Sequence, residues 1–340
     1  MSASPHPLHV SIVTLPESSG IAIQGMYEAL SIVGTLMGEA GAAVPPFHVE
    51  TVGPVTGIHR NAFGLPVEAQ RSISETQQTD IIIIGSVIPA GGKWVTGRYP
   101  ETIEWLTSMY AAGACLASAC TGAFVLAETR LLDGYEATTH WAFAPEFRHR
   151  FPGVRLRIEE LLLSVRNDPP LLTAGSSGAW EDLVLHLIAR YVGPESAAAT
   201  GRLVLYHSMR DSQAPYISFP AVDNHDDDAV RDVESWIRDN YASLASVEAL
   251  VQRSGLSPRS FQRRFKRATG YSPVHYVQNT RVEQAKRLLE SSDIAVDDVA
   301  RMVGYQEPAA FRRVFKRTTR MTPAGYRQRF RLPVPAVAAP

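Results

Sequence analysis

The sequence predicts two domains: an α/β domain built on an open parallel sheet, followed by an all-α domain with two helix-turn-helix units. Three observations carry this prediction. Strand-like and helix-like segments alternate over residues 8–210, a basic segment is duplicated within residues 246–330, and the two halves of the chain carry opposite net charges. A chain of 340 residues has room for two cores. We expect the α/β domain at residues 1–212, a linker at 213–228, the helical domain at 229–332 and a disordered tail at 333–340.

Apolar patterns predict the strands and helices of the first domain. The run DIIIIG at residues 80–85 is typical of a parallel strand that is buried on both faces, because polar and apolar residues do not alternate in it. Alternating strands and helices imply an open parallel sheet with helices on both faces. We expect further strands at Leu8–Leu15, Phe47–Val52, Ala114–Ala119 and Leu171–Ala174, and helices at Gly20–Gly38, Glu101–Ala112, Thr121–Glu128, Ala179–Tyr191 and Glu195–Met209.

A strand of small residues runs directly into Cys120 and then into a helix. This order predicts a nucleophile elbow, in which a sharp turn holds one side chain at the top of the sheet, near a helix N-terminus that favours a thiolate. Ligands of such sheets bind beyond the carboxyl ends of the strands. The residues that we expect to line a ligand-binding crevice there are Cys120, Thr121, His140, Trp141 and Ser86.

Two interpretations of Cys120 stay open. Catalysis needs an activated thiolate, a proton-transfer partner and an oxyanion site, and the sequence indicates only the first two, with Cys120 and His140 as the candidates. We favour the other interpretation, in which Cys120 lines a ligand pocket. His140 is either a polar group of that pocket or a core histidine, whereas Cys115 is expected to be core. The remaining histidines show no metal-ligand spacing, so we expect neither a metal site nor a cofactor.

This region resembles the class I glutamine amidotransferase-like (ThiJ/PfpI) superfamily, whose sheet is flavodoxin-like. The pieces that carry the resemblance are CTGAFVLAE, LLDG, ATTHW and LTAG. In enzymes of the superfamily the elbow cysteine is a nucleophile, helped by a histidine and an acid, and Cys120 and His140 match two of these positions. Ala22 stands where the acid would be expected, although Glu17 is nearby, and Ser86 replaces the second glycine of a usual pair.

The basic segment consists of one supersecondary unit that is used twice. Phe261 recurs as Phe311 at an offset of 50, and Gly255 recurs as Gly304 at an offset of 49. In each copy a short helix ends at the glycine, and a second helix restarts at a pair that ends in proline, which is typical of a helix start. Helix, glycine turn and helix form a helix-turn-helix. The helix Val274–Glu290 joins the two copies.

The second helix of each copy has an apolar inner face and a basic outer face. Phenylalanines four residues apart face inward, and the outer residues are Arg259, Gln262, Arg263 and Lys266 in the first copy and Arg312, Arg313 and Lys316 in the second. Residues 230–340 contain 20 lysines and arginines against 10 aspartates and glutamates, whereas residues 1–229 have a net charge of −11. A basic helix-turn-helix segment is typical of a protein that binds duplex DNA.

The segment from about 230 to 330 resembles the AraC/XylS-type DNA-binding domain, and the piece GYQEPAAFRRVFKRTTRMTPAGYR is its most specific part. The resemblance implies that Arg259, Gln262 and Arg263 read base edges. It places Ala309, Arg312 and Arg313 on the corresponding face of the second unit. The whole chain is similar to regulators that join such a domain to an amidotransferase-like domain.

The expected function is therefore that of a sequence-specific transcription regulator. Its expected partners are double-stranded DNA, a small-molecule effector and a second copy of the chain, with room for a contact to RNA polymerase and none to a membrane. Two cysteines without a disulfide pattern, and an N-terminus without signal-peptide features, favour the cytoplasm. The alternative is a thiol-dependent enzyme of the hydrolase, hydratase or deglycase type that uses Cys120. A third interpretation makes the first domain a dimerisation module only.

Overall fold

The computed structural model describes residues 6–39, 44–61, 63–88, 93–206, 212–219, 225–244 and 246–331. The chain divides into two units, Met1–Gln213 and Ala214–Pro340. The tail predicted at 333–340 lies outside the described residues, as does part of the predicted linker.

A seven-stranded sheet forms the centre of the first unit, in the order β10-β11-β7-β6-β1-β2-β5. All neighbouring strands in it are parallel except β10 and β11. The seven strands are β1 (Leu8–Val13), β2 (Phe47–Gly53), β5 (Arg71–Ser72), β6 (Ile81–Ile84), β7 (Cys115–Ala119), β10 (Leu162–Asn167) and β11 (Pro170–Ala174). The other four strands, β3 (Gly57–Arg60), β4 (Pro66–Ala69), β8 (Glu136–Ala137) and β9 (Arg155–Leu156), form two small two-stranded sheets.

Helices cover both faces of the large sheet, as the apolar run at Ile81–Ile84 predicts. All four isoleucines are buried, with Ile81 and Ile83 in one apolar cluster and Ile82 and Ile84 in the other. Helices α1 (Gly20–Glu39), α5 (Trp180–Tyr191) and α6 (Pro194–Leu203) contribute to the first cluster, and α2 (Pro100–Ala111), α3 (Gly122–Glu128) and α4 (Ala144–Arg150) to the second. The predicted fold class is confirmed.

Helix α4 and strands β5, β8 and β9 were not predicted, and three further features of this unit differ from the prediction. The sheet is mixed, because β10 pairs antiparallel with β11 at one edge. The hairpin of β3 and β4 was not predicted, since its alternating polar pattern is short and lies between turn residues. The last predicted helix, Glu195–Met209, begins at Pro194 and ends at Leu203, while residues 207–211 lie outside the described part.

Helix α1 is long and apolar enough over Gly20–Gly38 to cross a membrane by length and composition alone, with a mean hydropathy of 1.2. Met26, Leu30 and Val33 of this helix are buried in the first apolar cluster, so one side of α1 packs into the core of the first unit.

The second unit is all helical and contains two apolar clusters, one for each helix-turn-helix copy. Phe261 and Phe265 are fully buried in the first cluster, and Phe311 and Phe315 in the second. Helix α10 contributes to both, which matches the predicted joining helix. The helices are α7 (Asp228–Asn240), α8 (Val247–Ser254), α9 (Pro258–Thr269), α10 (Pro273–Ser291), α11 (Val296–Met302), α12 (Pro308–Thr319) and α13 (Pro323–Phe330).

Candidate nucleic-acid interface and effector crevice

The turn before α9 sets the position of the first basic helix. Gly255 ends α8 in the left-handed conformation with φ 64°, which glycine adopts without a steric penalty. Ser257 then caps α9, since its hydroxyl accepts a hydrogen bond from the Ser260 N–H, and Pro258 occupies the first helical position. These local signals determine that α9 begins at Pro258.

Four polar side chains on the outer face of α9 are exposed and free. Phe261 and Phe265 are buried on the inner face, so the rotation of the helix about its axis is determined. Within the described part of the chain, the outer side chains form no hydrogen bond or ion pair with other residues. They are Arg259, Gln262, Arg263 and Lys266. An arginine or glutamine without an intramolecular partner can form its hydrogen bonds with a base edge instead.

The second unit presents a similar face, with one difference. Ala309, Arg312, Arg313 and Lys316 of α12 are exposed, as predicted. Arg312, however, forms an ion pair with Asp297 of α11. The sequence offset between the copies does not reveal this pair, because it depends on how α11 packs against α12. A partly neutralised Arg312 has less capacity for base contacts than the free Arg263.

Two further arginines of this unit have structural roles that sequence reasoning did not assign. Arg264 donates two hydrogen bonds to Asp227, at 2.9 and 2.7 Å, and Asp227 also caps α7 by accepting from the Val230 N–H. The hydrogen bonds from Arg264 lower the pKa of Asp227. Arg281 of α10 donates to the carbonyls of Tyr241 and Leu244, both at 2.8 Å, and burial lowers its pKa. These two arginines link segments of the second unit to one another, and neither is one of the four outer residues of α9.

The predicted elbow is present in the first unit. Cys120 follows β7 with φ 57°, a left-handed conformation that is unusual for a residue with a side chain. The Cys120 N–H donates to the carbonyl of Ala174 at 2.8 Å, and Thr139 Oγ1 donates to the carbonyl of Cys120 at 2.8 Å. Gly122 follows at the start of α3, where an added Cβ would lie 2.4 Å from the Ile84 carbonyl oxygen. The elbow is therefore packed tightly against the end of β6.

The residues of the expected crevice are largely closed off. Cys120, Thr121 and Ser86 are between 1 and 3% exposed. The hydroxyls of Ser86 and Thr121 are 3.1 Å apart, and Thr121 Oγ1 also donates to the Val87 carbonyl. Cys120 Sγ lies 3.3 Å from Ser177 Oγ. These side chains satisfy one another, which limits the surface they offer to a ligand.

His140 does not act on the thiol in this arrangement. Its Nδ1 accepts a hydrogen bond from the Ala142 N–H at 3.2 Å, which caps a short 3₁₀ helix, and its ring stacks on Trp141 with centroids 5.4 Å apart. Burial lowers the pKa of His140, which favours the neutral ring. Within the described residues no hydrogen bond joins it to Cys120. Cys115 is buried as expected, and burial raises its pKa to about 11.

Glu17, the acid nearest to the position at which Ala22 stands, is occupied elsewhere. Its two carboxylate oxygens accept from Arg98 and from the Tyr99 hydroxyl. Ala22 is itself buried in the core. Among the described residues, neither His140 nor Glu17 is therefore placed as a proton-transfer partner of Cys120.

A cavity of about 1020 Å³ opens beside α1, and none of the five expected crevice residues lines it. The β3–β4 hairpin, Trp180 and Tyr206 contribute to its walls. Asn61, which is 6% exposed, also lines it, and its amide Nδ2 has no hydrogen-bond partner among the described residues. Its Oδ1 accepts from the N–H groups of Phe63 and Leu65, at 2.9 and 3.0 Å, so the side chain is held in place. A buried donor without a partner is a site at which a ligand acceptor would be stabilised.

Comparisons with known proteins agree with this division. Residues 28–190 match the DJ-1/PfpI family, and residues 250–329 match a helix-turn-helix domain. The HTH-type transcriptional regulator GlxA of Rhizobium meliloti is 26% identical over 285 residues, which cover 79% of this chain and 81% of that protein. The regulator GbdR of Pseudomonas aeruginosa is 25% identical over 65% of this chain, and the match spans 60% of GbdR's length. A crystal structure of an AraC family transcriptional regulator from Pseudomonas putida covers 58% of this chain and 100% of its own, with 20% identity and a TM-score of 0.48.

The fold and the two family matches define a helix-turn-helix protein that carries an α/β domain of the DJ-1/PfpI kind. The DJ-1/PfpI match at residues 28–190 precedes the helix-turn-helix match at residues 250–329, which is the order of domains that the sequence motifs predict.

Proposed function

We propose that this protein is a transcription regulator that binds a specific double-stranded DNA site through α9 and α12. The observation that carries this proposal is the free outer face of α9. Arg259, Gln262 and Arg263 are exposed on a helix whose inner phenylalanines are buried, and none of them has a partner among the residues that the structure describes. Arginine suits guanine and glutamine suits adenine in the major groove. The curated relatives carry the name of transcriptional regulator, which supports the same function.

The two units of one chain would enter successive major grooves on one side of the duplex, about 34 Å apart. The first unit would supply most of the base reading. In the second unit Arg312 is paired with Asp297, and Ala309 and its neighbour Ala310 offer no side-chain hydrogen bonds. The second unit would therefore position the protein mainly through phosphate contacts of Arg313 and Lys316.

Replacing Arg263 by alanine is expected to weaken binding to the specific site by about 1–3 kcal/mol and to relax specificity there. The reason is the loss of a forked donor from an otherwise unchanged exposed face. Binding should be measured by fluorescence anisotropy on the specific and on a random duplex at several salt concentrations. Lys266→Ala is the matched control: as a phosphate contact it should weaken both duplexes alike and reduce the salt slope by about 1. Equal losses on both duplexes for Arg263→Ala would contradict a base contact.

We also propose that the first domain binds a small-molecule effector, which alters how the DNA-binding domains are used. The cavity beside α1, with the unpaired amide of Asn61, supports such a site more directly than the closed crevice around Cys120. Cys120 and Ser86 would then be structural residues in the interior of the first domain, whereas His140 and Trp141 are partly exposed at its surface. The alternative of a thiol-dependent enzyme rests on the left-handed elbow conformation of Cys120.

A thermal-shift screen with amino acids, betaines, amines and nucleotides separates these functions. A ligand at a hundred times its Kd stabilises the native state by about 2.7 kcal/mol. We expect Cys120→Ser to keep the shift and Asn61→Asp to lose it. The aspartate keeps the acceptor for Phe63 and Leu65 but removes the unpaired donor. Turnover of a hit compound that disappears in Cys120→Ser would favour the enzyme instead, and the absence of any shift would favour a dimerisation module.

A homodimer in the cytoplasm is the assembly that we propose. Ile21, Phe63 and Leu65 are 73, 70 and 61% exposed, and all three line the mouth of the cavity beside α1. Exposed apolar side chains that lie together are typical of a contact surface. Sedimentation velocity at micromolar concentration should show a dimer, and a monomer alone would remove this part of the proposal. A contact with RNA polymerase is part of the same proposal, because a regulator acts at a promoter.

A further inference from the structure

The parallel pairing of β1 with β2 brings together two histidines that are far apart in the sequence. His9 lies opposite His48 in the register, and Ser11 lies opposite Glu50. Residues two apart on a strand share a face, so Glu50 lies on the same face as His48. The two imidazole rings have centroids 5.3 Å apart. The histidine spacing in the sequence predicts no metal site, and only the sheet register reveals this cluster.

The donor atoms of the three side chains converge. His9 Nε2 lies 2.8 Å from Glu50 Oε2, and His48 Nε2 lies 3.9 Å from Glu50 Oε1. One ligand atom from each residue lies within 4.8 Å of the others. The side chains of His9 and Glu50 are 19 and 14% exposed, so they are held by their surroundings, whereas that of His48 is 59% exposed. The cluster is therefore fixed on one side and reachable from solvent on the other.

The hydrogen bonds around His9 indicate what its Nε2 requires. Its Nδ1 lies 3.2 Å from the Gln78 carbonyl oxygen, which can only accept, so Nδ1 carries the proton. In the neutral ring the Nε2 lone pair would then face the carboxylate oxygen of Glu50 at 2.8 Å. A metal ion bound to both of these atoms, on the side that faces His48, would remove the repulsion. A carbonyl behind the ring is also the partner that commonly orients a metal-binding histidine.

We propose that His9, His48 and Glu50 bind a divalent transition-metal ion of the zinc type, with water completing the coordination. Two imidazoles and one carboxylate form a donor set that zinc accepts in a tetrahedral arrangement. Arg71 contacts Glu50 Oε1 at 3.1 Å, which leaves Oε2 for the ion. The Asp80 carboxylate accepts a hydrogen bond from the backbone N–H of His9 at 2.8 Å. The site lies at the amino-terminal edge of the sheet, at the opposite end of the strands from Cys120. A bound ion would join β1 to β2 and stabilise the first domain.

Isothermal titration of untagged full-length protein with ZnCl2, after removal of metal by a chelator, tests the site. We expect about one equivalent bound with micromolar affinity or better, and His48→Ala should weaken it at least about tenfold. His48 is exposed, so this variant should remain folded. His149→Ala, an exposed histidine on α4, is the matched control and should bind like the wild type. No stoichiometric binding, or equal binding by His48→Ala and the wild type, would overturn the proposal.

Cobalt substitution distinguishes this site from the two cysteines. Co²⁺ bound by nitrogen and oxygen ligands gives visible d–d bands but no thiolate-to-cobalt charge-transfer band in the near ultraviolet. We expect the d–d bands to persist in Cys120→Ser and to require a higher Co²⁺ concentration in His48→Ala. A charge-transfer band that is lost in Cys120→Ser would place the metal at the elbow and overturn the assignment to the His9 cluster.

Discussion

Gly304→Ala is expected to destabilise the second helix-turn-helix unit by about 2–5 kcal/mol, with a matching loss of DNA binding. Gly304 has φ 91°, a conformation that costs a residue with a side chain about 1–2 kcal/mol. An added Cβ would also lie 2.4 Å from the carbonyl oxygen of Ala242, which belongs to the backbone after α7. Relieving this overlap requires a backbone shift, and overpacking of this kind costs about 1–3 kcal/mol.

Gly255→Ala is the matched control, because Gly255 occupies the corresponding turn of the first copy. Its φ is 64°, and an added Cβ would meet nothing within 4 Å. The expected cost is therefore only the strain of about 1–2 kcal/mol. Calorimetry of the full-length protein compares the two variants through the unfolding transition of the helical unit. Equal destabilisation by both would show that the contact with Ala242 does not matter.

Gly122→Ala is expected to destabilise the first domain by about 3 kcal/mol or more, at the upper end of the usual cost of overpacking. An added Cβ would lie 2.4 and 2.5 Å from the carbonyl oxygens of Ile84 and Gly85. Both oxygens are backbone atoms at the end of β6, a strand in the middle of the sheet, so they cannot move without moving the sheet. The elbow at Cys120 would be pushed away from β6 as a consequence.

Gly85→Ala provides the comparison at the same junction. An added Cβ there would meet Met26 Cε at 3.6 Å and Ile23 Cγ1 at 3.7 Å, which are ordinary contacts. We expect a change within about 1 kcal/mol, the usual range for a volume change that side chains can absorb. Urea unfolding monitored by the near-ultraviolet circular dichroism of the first domain measures both variants. A tolerated Gly122→Ala would mean that α3 can move away from β6 at little cost.

Much of the helical domain could be predicted because its signals are local. Ser257 and Pro258 start α9 in the sequence and in the structure, since a cap acts on backbone groups two or three residues away. Gly255 ends α8 for an equally local reason, its left-handed backbone. The strand Ile81–Ile84 could be predicted because a strand that is buried on both faces has apolar residues at every position. Each of these features is determined within a few neighbouring residues.

The features that were missed depend on distant segments. Strand β10 pairs with β11 at the edge of the sheet, and edge strands carry weak apolar patterns. The engagement of Glu17 by Arg98 and Tyr99 joins residues about 80 positions apart, as the hydrogen bonds show. The side chain of Cys120 is likewise covered by residues that are distant in the sequence, such as Ser177.

The amino-acid sequence by itself determined the two-domain organisation, the duplicated helix-turn-helix and the outward-facing basic residues of α9, because periodicity, caps and charge act at short range. Only the tertiary structure decided which of these side chains are free. It pairs Arg312 with Asp297, whereas Arg263 has no partner in the described part of the chain, and it brings His9 beside His48. Packing and strand register select such partners across long stretches of chain, and no local pattern encodes them.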